Sequence, residues 1–174
     1  ERCFKAERVI LQESQFDLIR DWHHYAVLSL FELKHPPRSP EAIAKRLNIP
    51  VDRALESLER LESLGMLARD DRGQLVSTGE SYGSPDKIPS KVVRASHKDG
   101  LELATRALEE VPFDRRDFTS MTFSASEKNF AQVRDEIREF RTRIYHLMNS
   151  SDKTDVYRLS IQLFALTNEE EDST

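Results

Sequence analysis

The stretch "LNIPVDRALESLERLESLGMLARDDRGQLVSTG" (47–79) decides the fold. Asn48 suits the left-handed turn that closes a helix, Ile49 points inward, and Pro50 restarts the chain. From Val51 onward Ala54, Leu58, Leu61 and Leu64 recur on one face of a helix, with Leu55 at its edge. Gly65 is placed as its C-cap. "MLARDDRGQLVSTG" then reads as a hairpin with strands at 66–69 and 74–77. Its turn, 70–73, holds the Asp and Gly that tight turns require.

Toward the N-terminus, "PEAIAKRL" (40–47) is a second helix, with Ser39 as N-cap and Pro40 at the first helical position. Ahead of it "FDLIRDWHHYAVLSLFELK" (16–34) carries Ile19, Trp22, Tyr25, Ala26, Ser29, Leu30 and Leu33 at helical spacing, and Pro36-Pro37 stops it. Helix, helix, turn, helix, hairpin is the order of a winged helix-turn-helix.

Toward the C-terminus, "ESYGSPDKIP" (80–89) is a linker. A helix over 90–111 follows, with the stripe Val93, His97, Leu101, Ala104 and Leu108; Gly100 weakens it by about 1 kcal/mol relative to alanine. "RDFTSMTFSAS" (116–126) alternates as a strand does, with Phe118, Ser120 and Thr122 on one face and Thr119, Met121 and Phe123 on the other. Ser124 and Glu127 are spaced as a capping box for a helix over 125–149. That helix has Phe130, Val133, Ile137, Phe140, Ile144 and Leu147, and its stripe reads as the face laid on a sheet rather than a free coiled coil. "DVYRLSIQLFALT" (155–167) alternates again.

The expected class is therefore α+β, a winged helix-turn-helix module followed by a helix plus βαβ module. The domains are 1–79, the linker 80–89, a dimerisation or sensing module at 90–167, and an acidic tail at 168–174. Two strands make a poor sheet, so a homodimer is expected to supply what covers them.

The chain has 174 residues, 33% of them charged and 38% apolar, with a formal net charge of −5. Nucleic-acid binders usually show a basic balance. Here the tail "NEEEDST" alone contributes four of the negatives. No apolar run approaches the length of a membrane span, so no membrane partner is expected. The opening "ERCFKAERVI" lacks the apolar segment of a signal peptide. The single cysteine, Cys3, excludes an internal disulfide, and a cytoplasmic setting is expected. Glu1 is not methionine, so a fragment of a longer protein is expected.

"DWHHYAVLSL" (21–30), "RDFTSMTFSAS" (116–126) and "DVYRLSIQLFALT" (155–167) resemble the hallmark segments of the Bdellovibrio/Fibrobacter-type conserved hypothetical proteins. The resemblance covers about residues 17–167 and is most specific in the closing segment, where Ala165 stands in place of an expected proline. It implies a C-terminal domain of unknown function, often preceded by another helix-turn-helix, in a transcription-regulator-like architecture.

If the module holds DNA, the candidate contacts are Arg53, Ser57 and Arg60 on the third helix and Arg69 and Arg72 at the wing. Between Arg38 and Arg72, seven basic residues meet seven acids, so phosphate contact should be weak. The alternative is a protein-interaction module whose winged helix docks a protein and touches no DNA.

Asp21, His23 and His24 lie close in sequence, but neighbouring helical residues diverge by about 100°, so no metal site is expected. His97 is read as a packed histidine of the apolar stripe. No catalytic constellation, phosphate loop or zinc spacing is found, and neither an enzyme nor a cofactor is expected.

Overall fold

The computed structural model describes residues 9–10, 21–79, 82–83, 91–149 and 152–168. The expected linker and acidic tail, and the start of the first expected helix, lie wholly or mostly outside them. The fold is mixed, helices with small two-stranded sheets. Strand β1 (Val9–Ile10) comes first, then helices α1 (Trp22–Leu30), α2 (Pro40–Leu47) and α3 (Val51–Ser63). Strands β2 (Leu67–Arg69) and β3 (Leu75–Ser77) form an antiparallel hairpin with Leu67 opposite Ser77. Strand β4 (Tyr82–Gly83) pairs in parallel with β1, a two-residue ladder that the sequence pattern does not announce. Helix α4 (Lys91–Glu110), two 3-10 turns at Phe113–Arg115 and Glu127–Asn129, and helix α5 (Phe130–Met148) complete the order.

Local chemistry sets the boundaries of the first half. Ser39 Oγ accepts from the Ala42 N–H at 3.2 Å, with Pro40 at the first helical position. Asn48 takes the left-handed conformation (φ 52, ψ 50) and turns the chain from α2 into α3. Gly65, at φ 69, lets the Met66 N–H return to the Leu61 carbonyl at 2.9 Å. Asp70 Oδ1 accepts from the Arg72 and Gln74 N–H groups across the hairpin turn, and Gly73 supplies its positive φ.

The core belongs to this half. Val27 and Leu30 of α1, Ile43 of α2, Ala54 and Leu61 of α3, Met66, and Leu67 of β2 are almost wholly buried. Leu58 joins them as the third-helix stripe predicts, Leu64 is half-buried, and Leu55, expected at the edge of the stripe, is exposed. Among the described residues, no buried apolar side chain lies beyond Leu67.

The C-terminal half departs from expectation. Segments 116–126 and 155–167 run without strand pairing among the described residues. Alternation specifies two faces for a strand but provides no neighbour for its edges. The capping box of Ser124 and Glu127 is absent, because a 3-10 turn starting at Glu127 intervenes before α5, and no side chain caps either element. In α4, His97, Leu101 and Leu108 are exposed, so His97 is not a core histidine. The helix instead turns Gly100 inward, where the Arg158 guanidinium lies so close that an added Cβ would sit 2.9 Å from Nη2. Glycine there weakens the helix and makes room for the closing segment.

That segment is tied to the helical core along its first residues. The Lys34 N–H donates to the Lys153 carbonyl at 3.0 Å, and Arg46 donates to the Thr154 carbonyl and the Asp155 carboxylate. Lys153 pairs with Glu32, Lys34 with Asp152, and Arg115 with Asp155. Each exposed pair contributes little by itself. Together with Val156 packed on the core, they direct the chain along α1, α2 and α4.

Leu61→Ala should destabilise the protein by about 2–5 kcal/mol, because its side chain is fully buried. Arg53→Ala should stay within about 0.5 kcal/mol. Urea unfolding of the two variants measures both, and equal shifts would mean that the faces of α3 are misassigned.

Candidate functional site

The site is built on α3 and the face of α1 that it covers. Ser57, expected on the outer surface as a DNA contact, is fully buried. The cause is its place in the helix: it adjoins Leu58 and falls one turn after Ala54, so its side chain turns toward α1. Its Oγ donates to the Arg53 carbonyl at 2.8 Å. His23 Nδ1 and His24 Nδ1 each lie 2.9 Å from the same oxygen. With the single hydroxyl proton given to Arg53, both imidazoles must place their own proton on Nδ1 and donate to Ser57. Both Nε2 atoms are then bare. That of His24 is buried with no partner, and that of His23 stands 3.7 Å from the Asp21 carboxylate.

This arrangement requires neutral rings. Burial pushes the His24 pKa down to about 4, and the neighbouring His23 pushes it the same way. Burial also lowers His23, against the opposing charge of Asp21. Tyr25, whose hydroxyl is buried without a partner, is pushed up to about 12 by burial.

The expectation that Asp21, His23 and His24 diverge is not met. Their ligand-type atoms lie within 4.8 Å of one another. Asp21 precedes the helix with an extended backbone (φ −71, ψ 138), so the helical angle does not apply to it, and the two rings both fold toward Ser57 with centroids 4.2 Å apart. Among the described residues these three form the group that could hold a metal ion. Lone pairs on Nε2 with Nδ1–H held by a hydroxyl is the tautomer a metal-binding imidazole uses.

The other candidates stand on the surface. Arg53 Nη1 donates to Glu56 Oε2 at 2.9 Å, and Arg60 Nη2 donates to Glu56 Oε1 at 2.6 Å, so one carboxylate holds both third-helix arginines. Burial raises the Glu56 carboxyl pKa, but the Arg53 hydrogen bond and the charges of Arg60 and Arg53 outweigh it, and the net shift is downward. At the hairpin, Arg69 grips Glu62 through Nε and Nη2 and also donates to the Gly73 carbonyl. Arg72 stands exposed in the turn. The four arginines thus share the α3 and hairpin surface, and three of them already hold carboxylates.

Beside this surface lies an open cleft of about 480 Å³ between the start of α1, α3 and α4. Asp21, Trp22, His23 and Arg53 line one side, and Asp99, Glu102, Thr105 and Arg106 the other. Sequence reasoning missed the cleft because α4 is distant in the chain. It also missed the shared serine, whose only sequence signal is a polar residue set within an apolar stripe.

Acid should unfold the protein through His24. In the unfolded chain this histidine takes up a proton near pH 6.5, but in the folded chain only near pH 4. Between those values the unfolded state binds more protons, so stability rises with pH. The contribution is complete above about pH 6.5 and is lost as pH falls toward 4, by about 3 kcal/mol. Urea unfolding followed by the fluorescence of Trp22, which sits edge-on to the His23 ring, measures this. A profile flat between pH 4.5 and 7 would refute it. Ser57→Ala leaves two imidazole donors unmet and should cost about 1–3 kcal/mol.

Comparison with curated proteins and with solved structures gave no match. Comparison with protein families gave one across residues 4–166, described as a domain of unknown function (DUF4423). That span takes in both the histidine-bearing core and the extended C-terminal half, and the chain belongs to the DUF4423 family.

Proposed function

We propose that this chain is part of a transcription-regulator-like protein in which α1, α2, α3 and the β2–β3 hairpin act as a winged helix-turn-helix. The observation that carries the reading is the turn from α2 into α3. Asn48 in the left-handed conformation, then Ile49 and Pro50, brings the two helices together in three residues, and the hairpin follows α3 directly. In this reading α3 enters the major groove and the hairpin meets the adjacent backbone. Arg53 and Arg60 serve the helix, and Arg69 and Arg72 the wing. Before meeting phosphate, Arg53 and Arg60 must leave Glu56, and Arg69 must leave Glu62. Binding through this region is therefore of the non-specific order, roughly 10⁻⁴–10⁻⁶ M near physiological salt.

A second reading has a specific observation in its favour. Arg53 and Arg60 are already paired with Glu56, and Val51 and Leu55 stand 40% and 44% exposed on the same helix. Such a surface suits a protein partner better than a polyanion.

Fluorescence anisotropy with a random DNA duplex, from low to moderate salt, separates the two. Under the DNA reading the parent chain binds at low salt. Glu56→Gln, which frees two arginines, tightens binding several-fold, and replacing Arg53, Arg60, Arg69 and Arg72 together abolishes it. No signal from the parent even at low salt would sink the DNA reading and leave the docking one.

A further inference from the structure

The C-terminal half has the apolar side chains of a core but no core. Among the described residues, every large apolar side chain left exposed, apart from Val51 and Leu55, lies between residues 101 and 166. They include Met121 at 81%, Phe164 at 70% and Leu166 at 73%. Helix α5 has no buried residue, although Phe130, Val133, Ile137, Phe140, Ile144 and Leu147 form a continuous stripe along it. Segments 116–126 and 155–167 alternate as strands do, yet no backbone hydrogen bond joins residues 117–125 or 156–165 to any other described residue. Exposed strand edges are usually protected by lysine or proline, and neither occurs in either segment.

We propose that a second copy of this chain covers this half, its two alternating segments pairing with those of the first so that four strands form one sheet beneath two α5 helices. A partner must offer strands that match both segments in length and alternation. Another copy does so by construction, and a two-fold axis satisfies both chains with one set of contacts. The area agrees. At about 150 Å² for each large apolar side chain, their exposed fractions amount to about 1,500 Å² per chain, or about 3,000 Å² for two. That falls in the range of about 2,000–5,000 Å² for obligate homodimers. The closing segment is suited to reach across. Its start is held at the turn after α1, on α2 and at the 3-10 turn after α4 by Lys153, Thr154 and Asp155, and its exposed apolar residues begin only after that anchor. The proposal does not depend on what α3 binds.

Multi-angle light scattering of the full chain at about 10 μM tests it. The expected mass is twice 20.2 kDa. Ile161→Lys and Phe164→Arg, made separately, should each give monomer while keeping the far-ultraviolet helix signal of α1–α3. Hydrogen exchange supplies a reading free of mutation: amides 157–165 should be protected in the parent at that concentration and lose protection on dilution to monomer. A parent of monomer mass would overturn the proposal. So would a dimer that both substitutions leave intact, a dimer with unprotected amides at 157–165, or a foreign protein in stoichiometric complex where the second copy should be.

Discussion

One hydroxyl group joins α1 to α3 inside the apolar core of the first half. Ser57 Oγ receives both imidazoles of α1 and passes its own proton to the backbone of α3. Buried polar atoms are tolerable only when matched, and here one side chain matches two rings. The pairing agrees with the rotation that the apolar stripe gives α3. With Ser57 inward, Ala54, Leu58 and Leu61 meet α1 and α2, while Arg53, Glu56 and Arg60 are left at the rim. The histidines must remain neutral for this to hold, so the helical core is coupled to pH through two rings whose burial outweighs the nearby carboxylates.

The surface next to this clasp is chemically self-contained. Glu56 holds two arginines and Glu62 a third, so the charge balance legible in the composition has become a set of specific pairs. Pairs this exposed stabilise little, and they can be exchanged for a phosphate or for a partner's carboxylate at small cost. The cleft formed where α4 approaches α1 carries the same mixture of signs and shares Asp21, His23 and Arg53 with the clasp and the arginine face. The arginine face, the histidine pair and the cleft are therefore neighbours.

Much of the first half was legible in the sequence because its boundaries are set locally. Ser39, Pro40, Asn48, Gly65, Asp70 and Gly73 each act within a few residues of themselves, and each does in the structure what its chemistry calls for. The buried stripe of α3 followed from periodicity alone. The site was less legible. Ser57 was placed on the outward face of the third helix with Arg53 and Arg60, whereas in the structure it meets two histidines more than thirty positions away. Asp21 and the two histidines converge because the chain there is only beginning to be helical.

By itself the sequence determined which segments are helical, the boundaries of α2 and α3, the hairpin, and the alternation of 116–126 and 155–167. These properties belong to the chain's own dihedral preferences and side-chain order, which act over a few residues. Tertiary structure alone decided which side chains share a hydroxyl, which arginine holds which carboxylate, that His97 faces outward, and that the alternating segments find no mate among the described residues. A strand pattern encodes two faces but not the identity of its neighbour, and a hydrogen bond between distant residues depends on packing that no local rule contains.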